Sequence, residues 1–303
     1  MRIQLYKIGI PEINQIEVEN DTNGRFTELL MVRNLLEEYG HEVFIEGNQA
    51  VDILFLFNGI WNAKEIYNVN ALIQNAKQVS FINTDYRLSE IPRTPYNLHK
   101  KIDFYFTQTK QKIANIEQKY NGMPELACYK SNIPIKTNKS NLFIFGGGIR
   151  NRREDMLMYF EEIRRAYGED LMKLFIKTSE KDHRIPIQQY HQELLDSRYS
   201  LVIMDQEYYD IGFITWRFYE NLSKGVISFV DSRADKYNLM VTKNSFLRVN
   251  DPIELVEKIK LLELGNNREI FLEKIYNQSN EHTVHKINDL KNGKYTYKCL
   301  LNL

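Results

Sequence analysis

Residues 141–168, NLFIFGGGIRNRREDMLMYFEEIRRAYG, decide how the rest of the chain is read. An apolar strand runs into three glycines, and a stretch of helical character opens on arginines. Strand, glycine turn and helix in that order begin an α/β unit. Downstream the alternation continues, with KLFIK (173–177), SLVIM (200–204) and VISFV (226–230) reading as strands separated by helices. Upstream the same grammar is found. RIQLYKIGI (2–10), HEVFIE (41–46), VDILFLF (51–57), QVSFINT (78–84) and IDFYFTQT (102–109) read as strands. FTELLMVRNLLEEYG (26–40) reads as a helix with Phe26, Leu29, Leu30, Val32, Leu35 and Leu36 on one face, stopped by Gly40.

Between the two runs, KSNIPIKTNKSN (130–141) is polar and aperiodic, as an interdomain linker is. A chain of 303 residues is long enough for two cores of roughly 150 residues each. The expected fold class is therefore α/β, two doubly wound domains with largely parallel sheets. Beyond Asp251 three helical segments are expected, DPIELVEKIKLLELG, NREIFLEKIYNQSN and EHTVHKINDLK, too short for a third domain.

Composition excludes several classes. Hydrophobic residues at 43% with only 14 glycines and 7 prolines rule out collagen-like and disordered chains. No uncharged apolar stretch approaches the ~20 residues of a membrane span, and the first residues lack a signal-peptide core, so a cytoplasmic protein is expected. Cys128 and Cys299 stand far apart without metal-ligand spacing, which excludes a disulfide framework and a structural zinc site. Forty basic residues balance forty acidic ones, so no whole-chain electrostatic grip on nucleic acid is encoded.

Three places could carry chemistry. Gly146, Gly147 and Gly148 end a strand, and Arg150, Arg152 and Arg153 follow as a helix opens. Free N–H groups, close backbone approach and guanidinium forks suit a diphosphate, although GxxxxGK[ST] is absent and glycines alone can serve a turn. In GFITWRFYE (212–220), Arg217 and Glu220 share a helix face at i, i+3. They could pair with each other, or hold a phosphate and a ribose. Phe213, Ile214, Trp216 and Phe218 around them argue for a partly buried helix start. In SFINTDYRLSEIP (80–92), Asp85 follows a strand, where a ligand-facing base would sit and where a turn-capping Asp is also common.

Laid end to end, these segments resemble the DNA β-glucosyltransferases of T-even bacteriophages, inverting enzymes that transfer glucose from UDP-glucose to hydroxymethylcytosine in duplex DNA. The resemblance is continuous in the second half and patchy in the first. It implies a GT-B architecture, two Rossmann-like domains facing a central cleft. Residues 1–138, with a C-terminal helix from about 282 to 303, would bind the acceptor, and residues 139–281 the nucleotide sugar. The family motif NFITLRVWE is matched by GFITWRFYE, which gives Arg217 a phosphate role and Glu220 the ribose hydroxyls. FGGGIRNRRED implies that Gly147, Gly148, Arg150 and Arg153 hold the diphosphate. One residue fewer separates the two arginines than in the family, which brings Arg152 in as a substitute, and Gly148 stands in place of a serine. Ile185 would lie against the uracil. TDYRL resembles the family's TDIRL and makes Asp85 the catalytic base, and Glu28 matches a glutamate near sugar and acceptor.

With these roles the resemblance implies UDP-glucose as donor, an Mg or Mn ion as an optional aid without dedicated ligands, duplex DNA with a flipped-out base as partner, no membrane, and a monomer, in a host cytoplasm if the gene is a phage's. Between Leu98 and Ser140, Lys100, Lys101, Lys110, Lys112, Lys119, Lys130, Lys136 and Lys139 outnumber Asp103, Glu117 and Glu125. That stretch could neutralise phosphates, with Tyr96, Phe104 or Tyr105 supporting a displaced strand, or could be a solvated surface. Two other readings remain open here: a GT-B enzyme acting on an envelope glycan or lipid-linked sugar, and a non-catalytic nucleotide-sugar-binding protein.

Overall fold

The computed structural model describes residues 1–8, 27–57, 63–83, 101–107, 138–148, 153–177, 187–212, 215, 217–236, 238, 240–293 and 302–303. The chain divides into two compact units, Met1–Ala127 with Lys286–Tyr297, and Cys128–His285 with Lys298–Leu303.

In the first unit, β1 (Arg2–Lys7), β2 (Glu42–Phe44), β3 (Val51–Phe57), β4 (Ala76–Asn83) and β5 (Phe104–Thr107) form one sheet in the order β2-β1-β3-β4-β5. Every pairing is parallel. VDILFLF is apolar almost throughout because both faces of β3 are covered, and only Asp52 escapes full burial. Its carboxylate accepts from the Arg2 N–H and from Lys77 Nζ, each at 2.8 Å. Helix α1 (Thr27–Glu38) buries Leu29, Val32, Leu35 and Leu36, the stripe that the sequence lays out. Gly40 ends it at φ 76°, and the next N–H, that of His41, returns to the Leu36 carbonyl at 3.0 Å. Helix α2 (Ala63–Gln74) packs Val69, Leu72 and Ile73 on Leu54, Leu56, Val79 and Phe81.

The second unit repeats this winding. Its strands β6 (Asn141–Gly148), β7 (Met172–Lys177), β8 (Ser197–Val202), β9 (Ile227–Asp231) and β10 (Arg248–Val249) are again all parallel, in the order β10-β9-β8-β6-β7. In each sheet the first strand lies between the second and the third, so the chain reverses its direction of travel beside β1 and beside β6. Side-chain alternation along β6 separates two faces. Phe143 and Phe145 meet Phe160 of helix α3 (Arg153–Tyr167) edge-on, at 6.2 and 5.2 Å between ring centroids. On the opposite face Ile144 packs with Tyr190 and Leu194 of helix α4 (Ile187–Leu195) and with Val226. Two short helices, α5 (Gln206–Ile211) and α6 (Arg217–Ser223), connect β8 to β9.

Between β9 and β10 the described residues form no helix and no extended strand, and several of them gather around one guanidinium. Arg248 donates to the carbonyls of Ala234, Asp235, Val241 and Thr242 and to the Asp235 carboxylate. Asp235 and Asn238 hold positive φ there, a conformation that short polar side chains tolerate. Helix α7 (Pro252–Leu262) starts from Asp251, whose side chain accepts the Glu254 N–H at 2.8 Å, with proline in the first turn.

The last two helical segments of the sequence are one helix, α8 (Asn267–Asn292). Its residues from Lys286 onward group with the first unit. Lys298–Leu303 group with the second unit, where the Leu303 carbonyl accepts the Phe246 N–H. No helix among the described residues is long and apolar enough to cross a membrane.

Candidate functional site

In an open parallel sheet, ligands bind beyond the carboxyl ends of the strands, at the point where the winding reverses. In the second unit that point is between β6 and β8, and β6 ends there in Gly146, Gly147 and Gly148. The middle of this site is built by Tyr190. Its ring lies so close to Gly146 that a Cβ on that residue would stand 2.5 Å from Tyr190 Cε2 and 3.1 Å from its hydroxyl oxygen. Gly146 is thus a glycine because an aromatic ring occupies the side-chain position. Above the ring, Arg217 Cζ is 4.4 Å from the centroid, a cation–π arrangement. Burial pushes the Tyr190 hydroxyl up to about 12, against the pull of the Arg217 charge. It remains a neutral phenol at any physiological pH.

Arg217 and Glu220 form the pair that their spacing allows, Nη1 donating to Oε2. The pair is not a solvated surface contact, because the Glu220 side chain is 7% exposed while that of Arg217 is 34% exposed. The other carboxylate oxygen, Oε1, is 2.6 Å from Nε2 of His191, one residue after Tyr190 on α4. Burial alone would raise the Glu220 carboxyl, but the Arg217 charge and the His191 hydrogen bond outweigh it and hold the group below the usual carboxylate range. Burial likewise works against the Arg217 charge, and Glu220 with Tyr190 reverses the sign. A charged guanidinium and an ionised buried carboxylate therefore stand side by side over the end of β6.

Of the residues singled out in the sequence, Gly147, Gly148, Arg217 and Glu220 fall in this region. Arg150, Ile185 and Asp85 lie outside the described residues. Glu28 is in the first turn of α1 and Arg153 opens α3, but their side chains too lie outside the described set. Lys139 corrects the expectation of a phosphate-binding lysine. It is 2% exposed, and its Nζ donates to the carbonyls of Ser197 and Lys224 at 2.8 and 3.0 Å, so it clips the second unit together. Lys101 Nζ reaches Asn70 at 3.0 Å on the surface.

Sequence reasoning missed His191 and Tyr190. No local spacing links them to Glu220, and only the sheet brings α4 beside α6. It also missed Glu65. At the corresponding carboxyl edge of the first sheet, between β1 and β3, Tyr6 donates to this fully buried carboxylate at 2.8 Å.

Among the described residues, the other carboxylates near the edge do not form a metal site. Arg233 bridges Asp155 of α3 at 2.7 Å and Asp231 of β9 at 2.8 Å and lies 4.6 Å over the Tyr209 ring, so a cation already stands between them. No cluster of three or more possible metal ligands is found among the described residues. A cavity of about 440 Å³ opens at the opposite, amino-terminal edge of the sheet, lined by Lys139, Arg198, Glu263 and Arg268 among others. Its Arg198 is engaged by the Lys139 carbonyl and the Glu263 carboxylate, an arrangement that ties β8 to the end of α7.

The ring against Gly146 supplies a test. Gly146→Ala has no backbone penalty from positive φ, so its effect is steric and must displace Tyr190. The expected loss of stability is about 1–3 kcal/mol, the range for overpacking, with a weakened grip on any ligand that Arg217 holds. Urea unfolding beside a Tyr190→Leu, Gly146→Ala double variant checks the cause, because removing the ring should relieve most of the loss.

No protein-family model and no curated protein sequence matches the chain. Among solved structures it is similar to the DNA-modifying enzyme β-glucosyltransferase, whose substrate is uridine diphosphoglucose. The identity is 18% and the TM-score 0.62, with 96% of this chain and 99% of that one covered. An α1,3-fucosyltransferase with GDP aligns at 12% identity and a TM-score of 0.44, over 89% of this chain and 81% of that one. The first likeness, over nearly the full length of both chains, gives this chain an α/β glycosyltransferase fold.

Proposed function

We propose that the protein is an inverting glycosyltransferase that moves a hexose, glucose on the present reading, from a UDP-sugar to a hydroxymethylated pyrimidine in DNA. The observation that carries the donor half is the Gly146–Tyr190–Arg217–Glu220 stack at the winding reversal of the second sheet. A guanidinium fork suits the diphosphate, an ionised carboxylate suits vicinal ribose hydroxyls, and strand-end glycines allow backbone N–H groups near phosphate oxygens. Arg150 and Arg153, which follow those glycines in sequence, complete the cationic set. Ile185 takes the uracil, Asp85 acts as base and Glu28 stands near the sugar. The fold of an enzyme that modifies DNA from uridine diphosphoglucose supports the same donor and the same acceptor class.

In this reading the acceptor oxygen bonds to the anomeric carbon as the bond from that carbon to the diphosphate breaks. Asp85 takes the hydroxyl proton, and UDP leaves with its growing charge held by arginines. A single displacement inverts the anomeric centre. Duplex DNA would have to present a flipped base, since a stacked one cannot bring its hydroxymethyl group to a carboxylate. The test is UDP release from UDP-glucose with duplex DNA that does or does not contain hydroxymethylcytosine. Release that requires the modified base supports the whole reading. UDP binding without DNA-dependent release rejects this acceptor and sends the search to glycans and lipid-linked sugars. Absence of uridine-nucleotide binding rejects the donor site itself.

A further inference from the structure

Resting on that reading of the donor site, we infer that His191 is a positioning residue for the ribose contact, the fixed partner of Glu220 while Arg217 exchanges that carboxylate for the donor diphosphate. Glu220 has both oxygens engaged, Oε2 by Arg217 and Oε1 by His191. A donor that takes Arg217 on its phosphates and Glu220 on its ribose competes with this ion pair. The two partners differ in their freedom to leave. Arg217 is the more exposed end of its pair, on a long side chain resting against one face of Tyr190. His191 has a short side chain on a helix whose neighbouring residue is wedged against β6 at Gly146.

When the guanidinium turns away, Oε2 is vacated at the same moment that the ribose hydroxyls arrive. A phosphate replaces the carboxylate on Arg217, and hydroxyls replace the guanidinium on Glu220. Through this exchange the buried carboxylate needs one partner that stays. An ionised carboxylate only accepts, so Nε2 of His191 carries the proton in their hydrogen bond. That bond fixes the plane of the carboxylate and hence the direction in which Oε2 faces. Among the described residues, the other groups acting on the pair are Tyr190, which is neutral, and Lys224, whose charge acts on Glu220 from just beyond α6.

The experiment is calorimetric binding of UDP and of 2′,3′-dideoxy-UDP to wild type, His191→Leu, His191→Gln and Glu220→Gln. His191→Leu should weaken UDP about 10- to 100-fold, the scale of one hydrogen bond to a charged group, and weaken the dideoxy nucleotide by less than about threefold. His191→Gln, which keeps an N–H donor of similar reach, should recover most of the UDP affinity. Equal losses for both nucleotides in His191→Leu would overturn the inference and leave His191 a packing residue. If Glu220→Gln itself fails to distinguish the two nucleotides, the ribose reading of Glu220 is what has failed. If Glu220→Gln distinguishes them and His191→Leu does not, the inference alone falls.

Discussion

Arg217→Met is expected to abolish measurable donor binding and to destabilise the second unit by about 3 kcal/mol at neutral pH. That is the lower end of the range for breaking a buried ion pair, because His191 still serves Glu220. The sign of the pH dependence separates this from ordinary loss of packing. In the wild type the Glu220 carboxyl is held below its usual range, so it contributes stability above the unfolded carboxyl pKa that fades as pH falls toward the folded value. Without Arg217, burial outweighs the remaining partners, the carboxyl moves up, and the variant carries its largest penalty at neutral pH. Acidification then relieves the imbalance by protonating Glu220. The difference in unfolding free energy between wild type and variant should shrink from about pH 7.5 to about pH 4.5. A difference that stays constant would mean that Glu220 is not the group left uncompensated. Adding Glu220→Gln to the variant should return part of the lost stability without restoring donor binding.

The strands of this protein were legible because their signal is local. VDILFLF apart from Asp52, and the NLFIF that opens β6, are buried, and a parallel strand covered on both sides is apolar nearly throughout. The order in which strands lie was not legible, since no residue in β6 states that β7 goes to one side and β8 to the other. That order is what places Tyr190 against Gly146 and His191 against Glu220, 29 residues apart, so spacing alone pairs Arg217 with Glu220 and gives no sign of Tyr190 or His191.

The sequence divides helix α8 into two segments at the polar run NQSN (277–280). In the fold Ser279 and Thr283 are buried, and the Thr283 hydroxyl donates to the Ser279 carbonyl at 2.9 Å, so this hydroxyl is satisfied inside a continuous helix. Lys139 was read as a surface charge for a comparable reason. A lysine in a polar linker carries no sign that two carbonyls from distant segments will converge on its ammonium.

Asp85→Asn is expected to lower glycosyl transfer about 10²- to 10⁴-fold, the contribution of a positioned general base, and to leave UDP affinity within about twofold. The asymmetry follows from the division of labour. Asp85 is two residues beyond β4 in the first unit, whereas Arg217 and Glu220 belong to the second. Asparagine preserves volume and the capacity to accept a hydrogen bond from a turn N–H but cannot take a proton from an attacking hydroxyl. A capping aspartate would therefore tolerate the change, with activity within a few-fold and a small loss of stability. A base would not, and the loss would appear in kcat with little change in the KM of the donor. The pH profile adds a second discriminant. The rise of kcat/KM on the acidic side, where the free base loses its proton, should disappear in Asp85→Asn, because the residual rate no longer depends on a carboxylate at that position. A variant that kept the acidic limb at reduced amplitude would assign the base to another carboxylate. Glu65, buried beneath Tyr6 at the carboxyl edge of the first sheet, would then be the next substitution to make.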